Sequence, residues 1–486
     1  MTEPMSVDKP LPEPGTTAIV VGGGMAGLVA ARELAHAGVS VTVIEASAHI
    51  GGAVAPHEVG GLVLDAGAES YATRTPVFAR LAEALGLGEQ LVEPSAAGAW
   101  LHFLDGRGQP KSTPLPKGAL LGIPGSLDEP VLREILGRTG LLRAKLDVNL
   151  PRGVGAKARS LADLVRARMG QAVLDRLVAP VVGGVYSVSP EDLDPEEAIP
   201  GLRAAIAEHG SLSAAIAALR GKATKPGSAV GGLRGGVFQI ARALRTELEE
   251  LGVTLLLDTS VQTLKRTGTA WHVGTPAAQL EAQRVVVATE AHGAVELLAP
   301  LLDEASAFGE AFGAEISLVT LVVDLPELDA APRGTGVLVA PQVSAAHPTA
   351  EGQVVRAKAL THATAKWPWL ADEEGPGTHV LRLSYALPLV GGAETADGGQ
   401  PSLELALADA SALLGLTIRA EDVVDSDVLT WRSALSAAGL GQKAKIAALR
   451  AAVEQIDGLA VTGAWLAGNG MAAVIADAQA QAQRIL

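Results

Sequence analysis

The strongest constraint on this chain lies in residues 16–45, TTAIVVGGGMAGLVAARELAHAGVSVTVIE. TTAIVV (16–21) is apolar and β-branched, the pattern of a strand buried on both faces. GGGMAG follows and contains Gly22-x-Gly24-x-x-Gly27. LVAARELAHAG then has helical apolar spacing and stops at Gly38, a helix-terminating residue. VSVTVI (39–44) is a second strand that delivers Glu45 at its end. Strand, glycine turn, helix, strand and acid are in register, which makes a complete βαβ unit.

Each glycine has a physical task in such a unit. Gly22 permits the tight turn, Gly24 lets backbone approach a pyrophosphate, and Gly27 lets helix and strand pack closely. The helix N-terminus offers free N–H groups and partial positive charge to phosphates. Glu45 can accept hydrogen bonds from a ribose hydroxyl pair. The unit therefore predicts a dinucleotide site, and FAD and NAD both remain open on these residues alone.

The other end of the chain has a similar rhythm. LAVTGAWLAGNGMAAVIADAQAQAQRIL (459–486) reads as strand, glycine turn and helix, and its first 18 residues carry no charge. Eighteen residues barely suffice to span a membrane, and Gly463, Gly468, Asn469 and Gly470 interrupt the run, so no integral span is expected. Between the ends, LDAGAESYATR (64–74) leads to Thr75-Pro76 as a helix start. Residues 96–220 look mainly helical, with Ser160 and Asp163 as a capping pair and Gly183-Gly184 as a break. GKATKPGSAVGG (221–232) reads as a linker, LRGGVFQIARALRTELEELG (233–252) as an amphipathic helix, RVVVATEA (284–291) as a strand, and 310–390 as strand-rich. GGAETADGGQP is an acidic loop before the closing region.

Composition excludes several functions. Net charge is −15, so a nucleic-acid partner is not expected. One island, Arg133 to Arg168, holds nine basic and three acidic residues and could steer an anionic ligand. Cysteine is absent, which removes disulfides, iron–sulfur clusters, thiolate zinc sites and cysteine-tethered cofactors. The ten histidines show no metal-ligand spacing, and no metal is expected. MTEPMSVDKPLPEPG has no apolar h-region and reads as a flexible tail; these features point to the cytoplasm.

Gly51-Gly52, shortly after Glu45, resembles the second glycine pair of flavoprotein oxidases related to monoamine oxidase. Over nearly its whole length the chain resembles the oxygen-dependent protoporphyrinogen/coproporphyrinogen III oxidase family. The resemblance rests on DAGAES (65–70), VVGGVY (181–186), GLRGGV (232–237), GTGVLVA (334–340), KWPW (366–369), Trp431 and GAWLAGNGMAAV (463–474). SALSAAGLGQKAKI (433–446) departs from it, because relatives tend to carry Pro-Gln-Tyr and Gly-His there.

The resemblance implies an α/β fold: a discontinuous Rossmann-like FAD-binding domain with an inserted helical lobe and a mixed-sheet substrate domain. On that reading the tail is 1–15, the FAD-binding parts are 16–95, 226–300 and 426–486, the lobe covering the substrate is 96–225, and the substrate domain is 301–425. Three domains in series is the alternative. It implies non-covalent FAD held by Gly22, Gly23, Gly24, Met25, Ala26, Gly27, Glu45, Ala46, Gly52, Gly67, Ala68, Glu69, Ser70, Val261, Trp431, Gly470, Met471, Ala472, Ala473 and Val474. The last helix would point its N-terminus at the flavin pyrimidine edge. The implied reaction, in haem biosynthesis, takes coproporphyrinogen III to coproporphyrin III with O₂ as acceptor and H₂O₂ as product. Protoporphyrinogen IX is the alternative substrate.

The flavin carries the chemistry in such a reaction, so no catalytic side chain is assigned. Arg74 and Lys366 are candidate clamps for a substrate carboxylate, and the family allows transient contact with a downstream enzyme of haem synthesis. An amine oxidase is the rival on the same fold, but GEAFGAEISLVTLVVD (309–324) lacks the lysine such enzymes place near the flavin. A carotenoid-desaturase-like enzyme and a flavin-free porphyrin carrier are further alternatives.

Overall fold

The computed structural model describes residues 13, 15–186, 188–222, 230–309, 315–341, 343, 355–387, 389, 399–431, 439–468 and 470–486. The N-terminal tail up to 12, most of the 221–232 linker, the acidic loop at 391–398, Asn469 and residues 433–438 of the divergent segment lie outside them.

Five strands from distant parts of the chain build one parallel sheet. They are β1 (Thr17–Val21), β2 (Ser40–Ile44), β3 (Thr254–Leu256), β4 (Arg284–Val287) and β5 (Leu459–Val461). The spatial order is β3-β2-β1-β4-β5, and every pair is parallel. The two ends of the sequence thus share a sheet with its middle. Ala18 and Val20 of β1 face one apolar layer, while Ile19 and Val21 face another. A strand covered on both faces needs apolar side chains along its buried length, and AIVV supplies them after Thr17.

Three helices cover the first face: α1 (Met25–His36), α2 (Gln239–Glu250) and α3 (Met471–Arg484). An antiparallel three-stranded sheet over Thr263–Ala282 and the helices Ala291–Leu298 and Gln442–Glu454 cover the second.

The second large sheet is mixed and has seven strands. Ile316–Asp324 pairs antiparallel with the edge strand Val423–Trp431 on one side and with Thr378–Ala386 on the other. Ala359–His362, Gly336–Val339, Trp100–Leu104 and Pro110–Pro114 complete it. The last two strands fall in the stretch read as mainly helical. WLHFL is buried at its three central residues, Leu101 and Phe103 completely, and the Asp-Gly-Arg-Gly turn after it closes a hairpin.

Among the described residues, the remainder of 115–222 is mainly helical, with one short hairpin pairing Ala119–Leu120 with Ile123–Pro124, and shares one core with the mixed sheet. Ser160 caps Leu161–Met169 by accepting the Asp163 N–H at 3.1 Å. Thr75 does not cap its helix, which begins at Val77 behind Pro76. Among the described residues no helix is long and apolar enough to cross a membrane.

Candidate functional site

The turn between β1 and α1 is packed so closely that side chains are excluded on one side. A Cβ on Gly27 would stand 1.9 Å from the Gly22 carbonyl oxygen, and Gly22 has φ of +107°. Gly24 differs: a Cβ there would meet nothing within 4 Å. It caps α1 without a side-chain hydrogen bond, and the first turn carries no acid. The N–H groups that a helix leaves unsatisfied at its start therefore face open space.

Glu45 stands beside this opening. Its Oε2 accepts the Gly23 N–H at 2.7 Å, and its Oε1 accepts the Ser47 N–H and hydroxyl at 2.9 and 2.7 Å. A carboxylate has about four acceptor positions, so one is left for a ligand hydroxyl. The Gly51 N–H donates to the Gly23 carbonyl at 2.8 Å, which seats Gly52 against Gly24, and the Thr259 N–H donates to the Glu45 carbonyl at 2.9 Å, two residues before Val261. Ala46 is exposed at the same edge.

The 64–72 segment lies on the next layer. Ala68 N–H donates to the Ala53 carbonyl, and Trp431 Nε1 donates to the Ala66 carbonyl at 3.3 Å. Met471 and Val474, in the first turn of α3, share a core with Met25 and Ala26. That turn also has no side-chain cap and no acid. The glycine motif, the 66–70 segment and the closing helix thus converge; Gly470, Ala472 and Ala473 complete the helix start.

Glu69 is the centre of an ion cluster. Lys366 Nζ donates to Oε1 at 2.5 Å and Arg382 Nη1 to Oε2 at 3.0 Å. The Glu69 and Lys366 side chains are each 16% exposed, and that of Arg382 is 8% exposed. Arg382 Nη2 also reaches the Ala66 and Gly67 carbonyls, at 3.3 and 3.4 Å. Asp65 accepts the Val237 and Phe238 N–H groups at the start of α2, at 3.1 and 2.8 Å. Of the two clamp candidates, Lys366 belongs to this cluster. Arg74 stands exposed in the turn after Tyr71–Ala72.

Two acids four residues apart are tuned in opposite directions. Burial alone would raise the Glu69 carboxyl, but Lys366 and then Arg382 overcome it and hold the group down to about 2. Burial pushes Asp65 up to about 6 against its N–H donors and Arg382. Stability from Glu69 is complete above pH 4.5 and is lost as pH falls from there towards 2, a total of roughly 3 kcal/mol. For Asp65 the favourable contribution is complete below pH 3.8 and is lost as pH rises through 6. In urea melts followed across pH, Glu69→Gln should flatten the acid limb and Asp65→Asn the limb between about 4 and 6. Unchanged slopes in either variant would refute the assignment.

The description of the flavin-containing amine oxidoreductases matches residues 25–486. The chain belongs to this family. Among curated proteins it is similar to the coproporphyrinogen III oxidase of Mycobacterium leprae (strain TN), 28% identical over 480 residues, covering 94% of this chain and 96% of that one. It is also 28% identical over 396 residues to the coproporphyrinogen III oxidase of Propionibacterium freudenreichii subsp. freudenreichii, 74% of this chain and 73% of the relative.

A solved structure from Exiguobacterium sp. 255-15, assigned provisionally as a protoporphyrinogen oxidase, superposes with a TM-score of 0.78 at 23% identity, covering 97% of this chain and 98% of that one. Putrescine oxidase bound to putrescine superposes at 0.64 with 17% identity, over 97% and 99%. These two likenesses are of fold.

A flavin-containing amine oxidoreductase needs a cradle for a dinucleotide, and the residues present fit one. Backbone is bare at Gly24, two helix N-termini are uncapped, and Glu45 has acceptor capacity to spare. Arg382 and Asp65 escaped the sequence reading. The usable signal was an arginine inside the apolar strand THVLRLSYA and an acid ending LVLD, since such charges are rarely buried unless partnered.

Proposed function

We propose that this oxidoreductase oxidises a porphyrinogen to the porphyrin with non-covalent FAD and O₂, and that coproporphyrinogen III is preferred to protoporphyrinogen IX. The relatives named coproporphyrinogen III oxidase cover nearly the whole chain. The observation that carries the reading to this chain is the Glu69 cluster: two cations share one carboxylate, while Asp65 is answered by backbone N–H groups. Such a cluster repels an ammonium substrate and favours a polycarboxylate. The described part of the strand at 316–324 carries Ser317, bonded to the Thr430 hydroxyl at 2.7 Å, and no lysine. That counts against amine oxidation.

Bound FAD would supply the two-electron acceptor chemistry for three successive oxidations, with O₂ as final acceptor and three H₂O₂ per macrocycle. The protein's own part is holding and orienting. With FAD in place, the α1 N-terminus and Gly24 would hold the phosphates, Glu45 would accept from a ribose hydroxyl, and Gly67–Ser70 would line the cofactor. The α3 N-terminus would stabilise negative charge on the reduced flavin. Coproporphyrinogen has four carboxylates against two, so it gains more from cationic residues on a protein of net charge −15.

Denaturing the purified chain should release free FAD, and kcat/KM should be higher for coproporphyrinogen III. Equal or higher kcat/KM for protoporphyrinogen IX would overturn the preference. Flavin that stays with the precipitated chain would overturn the non-covalent assignment.

A further inference from the structure

Lys366 meets two environments. Its ammonium holds Glu69, while the residue also lines a cavity of about 330 Å³ with Ser95, Gly98, Thr335, Leu338 and Leu360. This lies within the range of about 300–1,000 Å³ typical of small-molecule sites. Besides Lys366, the polar side chains among the cavity's lining residues are Ser95, Thr335 and Thr361; the rest are apolar or glycine. A Cβ on Gly184 would stand 3.1 Å from the Leu338 side chain, so the helical lobe abuts the cavity's strand. Thr361 pairs with Arg382 across the mixed sheet, which puts the cavity beside the Glu69 cluster.

The ion cluster is built so that one member can leave. If Lys366 turned away, Glu69 would keep Arg382, which is itself fixed by the Ala66 and Gly67 carbonyls. Lysine suits an exchange: it is a compact charge on a flexible stem, whereas Arg382 is a planar fork already engaged on three sides.

We propose that this cavity is the subsite for one carboxylate arm of the macrocycle, and that Lys366 passes from Glu69 to that carboxylate when substrate binds. The proposal rests on the porphyrinogen reading. It makes Lys366 a specificity residue and Glu69 a competitor that holds the cation when the subsite is empty.

The test measures dissociation constants of the holoenzyme for coproporphyrin III and for its tetramethyl ester dispersed in a nonionic detergent, at matched flavin content. Lys366→Met should weaken the acid about 10–100-fold, the value of one charge-assisted hydrogen bond, and leave the ester within about 3-fold. Lys366→Arg should restore most of the loss. Glu69→Gln should tighten the acid, since Lys366 is then uncontested; a merely structural ion pair requires weakening instead. Equal weakening of acid and ester by Lys366→Met, or a weakened acid in Glu69→Gln, overturns the subsite while porphyrinogen turnover by the wild type leaves the function standing. A wild type that turns over no porphyrinogen, yet binds the acid through Lys366, overturns the function and keeps the carboxylate site. Binding of neither porphyrin overturns both.

Discussion

Gly24→Val is expected to give a folded protein that has lost its flavin, whereas Gly27→Val should fail to accumulate as a folded protein at all. The two positions lie three residues apart in one turn, and a motif reading treats them alike. The structure separates them. At Gly27 a side chain would drive into the Gly22 carbonyl at 1.9 Å, and backbone cannot yield as a flexible side chain would. Overpacking of this kind costs at least about 1–3 kcal/mol, here at the centre of the parallel sheet's main contact. At Gly24 an added Cβ has no protein atom within 4 Å; on the proposed reading, valine would fill the volume a pyrophosphate needs. Flavin affinity should fall by at least about 100-fold, or roughly 2.7 kcal/mol. Absorbance at purification and circular dichroism check the two outcomes together. A Gly24→Val protein with full flavin content would show that the cofactor does not approach this turn.

That contrast also marks how far the sequence was legible. The β1–α1–β2 unit could be read because everything it needs is local: apolar period, glycine offsets and an acid at the end of a strand. The return of residues 459–486 to the same sheet was readable from its matching rhythm. The Glu69 cluster was not readable, because its partners are 297 and 313 residues away from Glu69 and ion pairing leaves no periodic trace. The strand at Trp100–Leu104 was missed inside a helical stretch because five residues are too few to outweigh their surroundings. For the basic island the charge count was legible but the exposure of each charge was not. Counting charges along a chain cannot tell which of them point outward, and several point in. Arg143 donates to the carbonyls of Arg166, Ala167 and Arg168 at the end of their helix, and Arg168 is fully buried against Asp147, while Lys145 stays exposed but is paired with Asp128 at 2.8 Å. Any steering falls to the exposed remainder, such as Arg133, Arg138, Lys157 and Arg159.

Arg168→Met should therefore act on stability, not on steering, and the loss should be large. Arg168 and Asp147 are both fully buried, with Nε and Oδ1 2.6 Å apart. The guanidinium also donates to the carbonyls of Asp147, Val154 and Gly210, at 3.2, 3.1 and 2.9 Å. Asp147 in turn accepts the Ser213 N–H at 2.8 Å. One arginine thus ties together three segments of the helical lobe that share no regular hydrogen-bond ladder. Methionine keeps the apolar bulk but leaves Asp147 charged and three carbonyls unanswered, and breaking a buried pair from one side costs about 3–5 kcal/mol. Lysine should rescue little, since one ammonium cannot replace a fork with five donors. The lobe's core is distinct from the layers around the parallel sheet, so flavin should stay bound while hydrogen exchange rises across 147–213. Arg133→Glu, at an exposed position, should change stability by no more than about 0.5 kcal/mol. Its effect should appear instead as a shallower salt dependence of coproporphyrinogen turnover, because screening acts on exposed charges over about 8 Å. Unaltered exchange in Arg168→Met, or equal destabilisation by the two variants, would mean that the buried arginine is not what holds the lobe together.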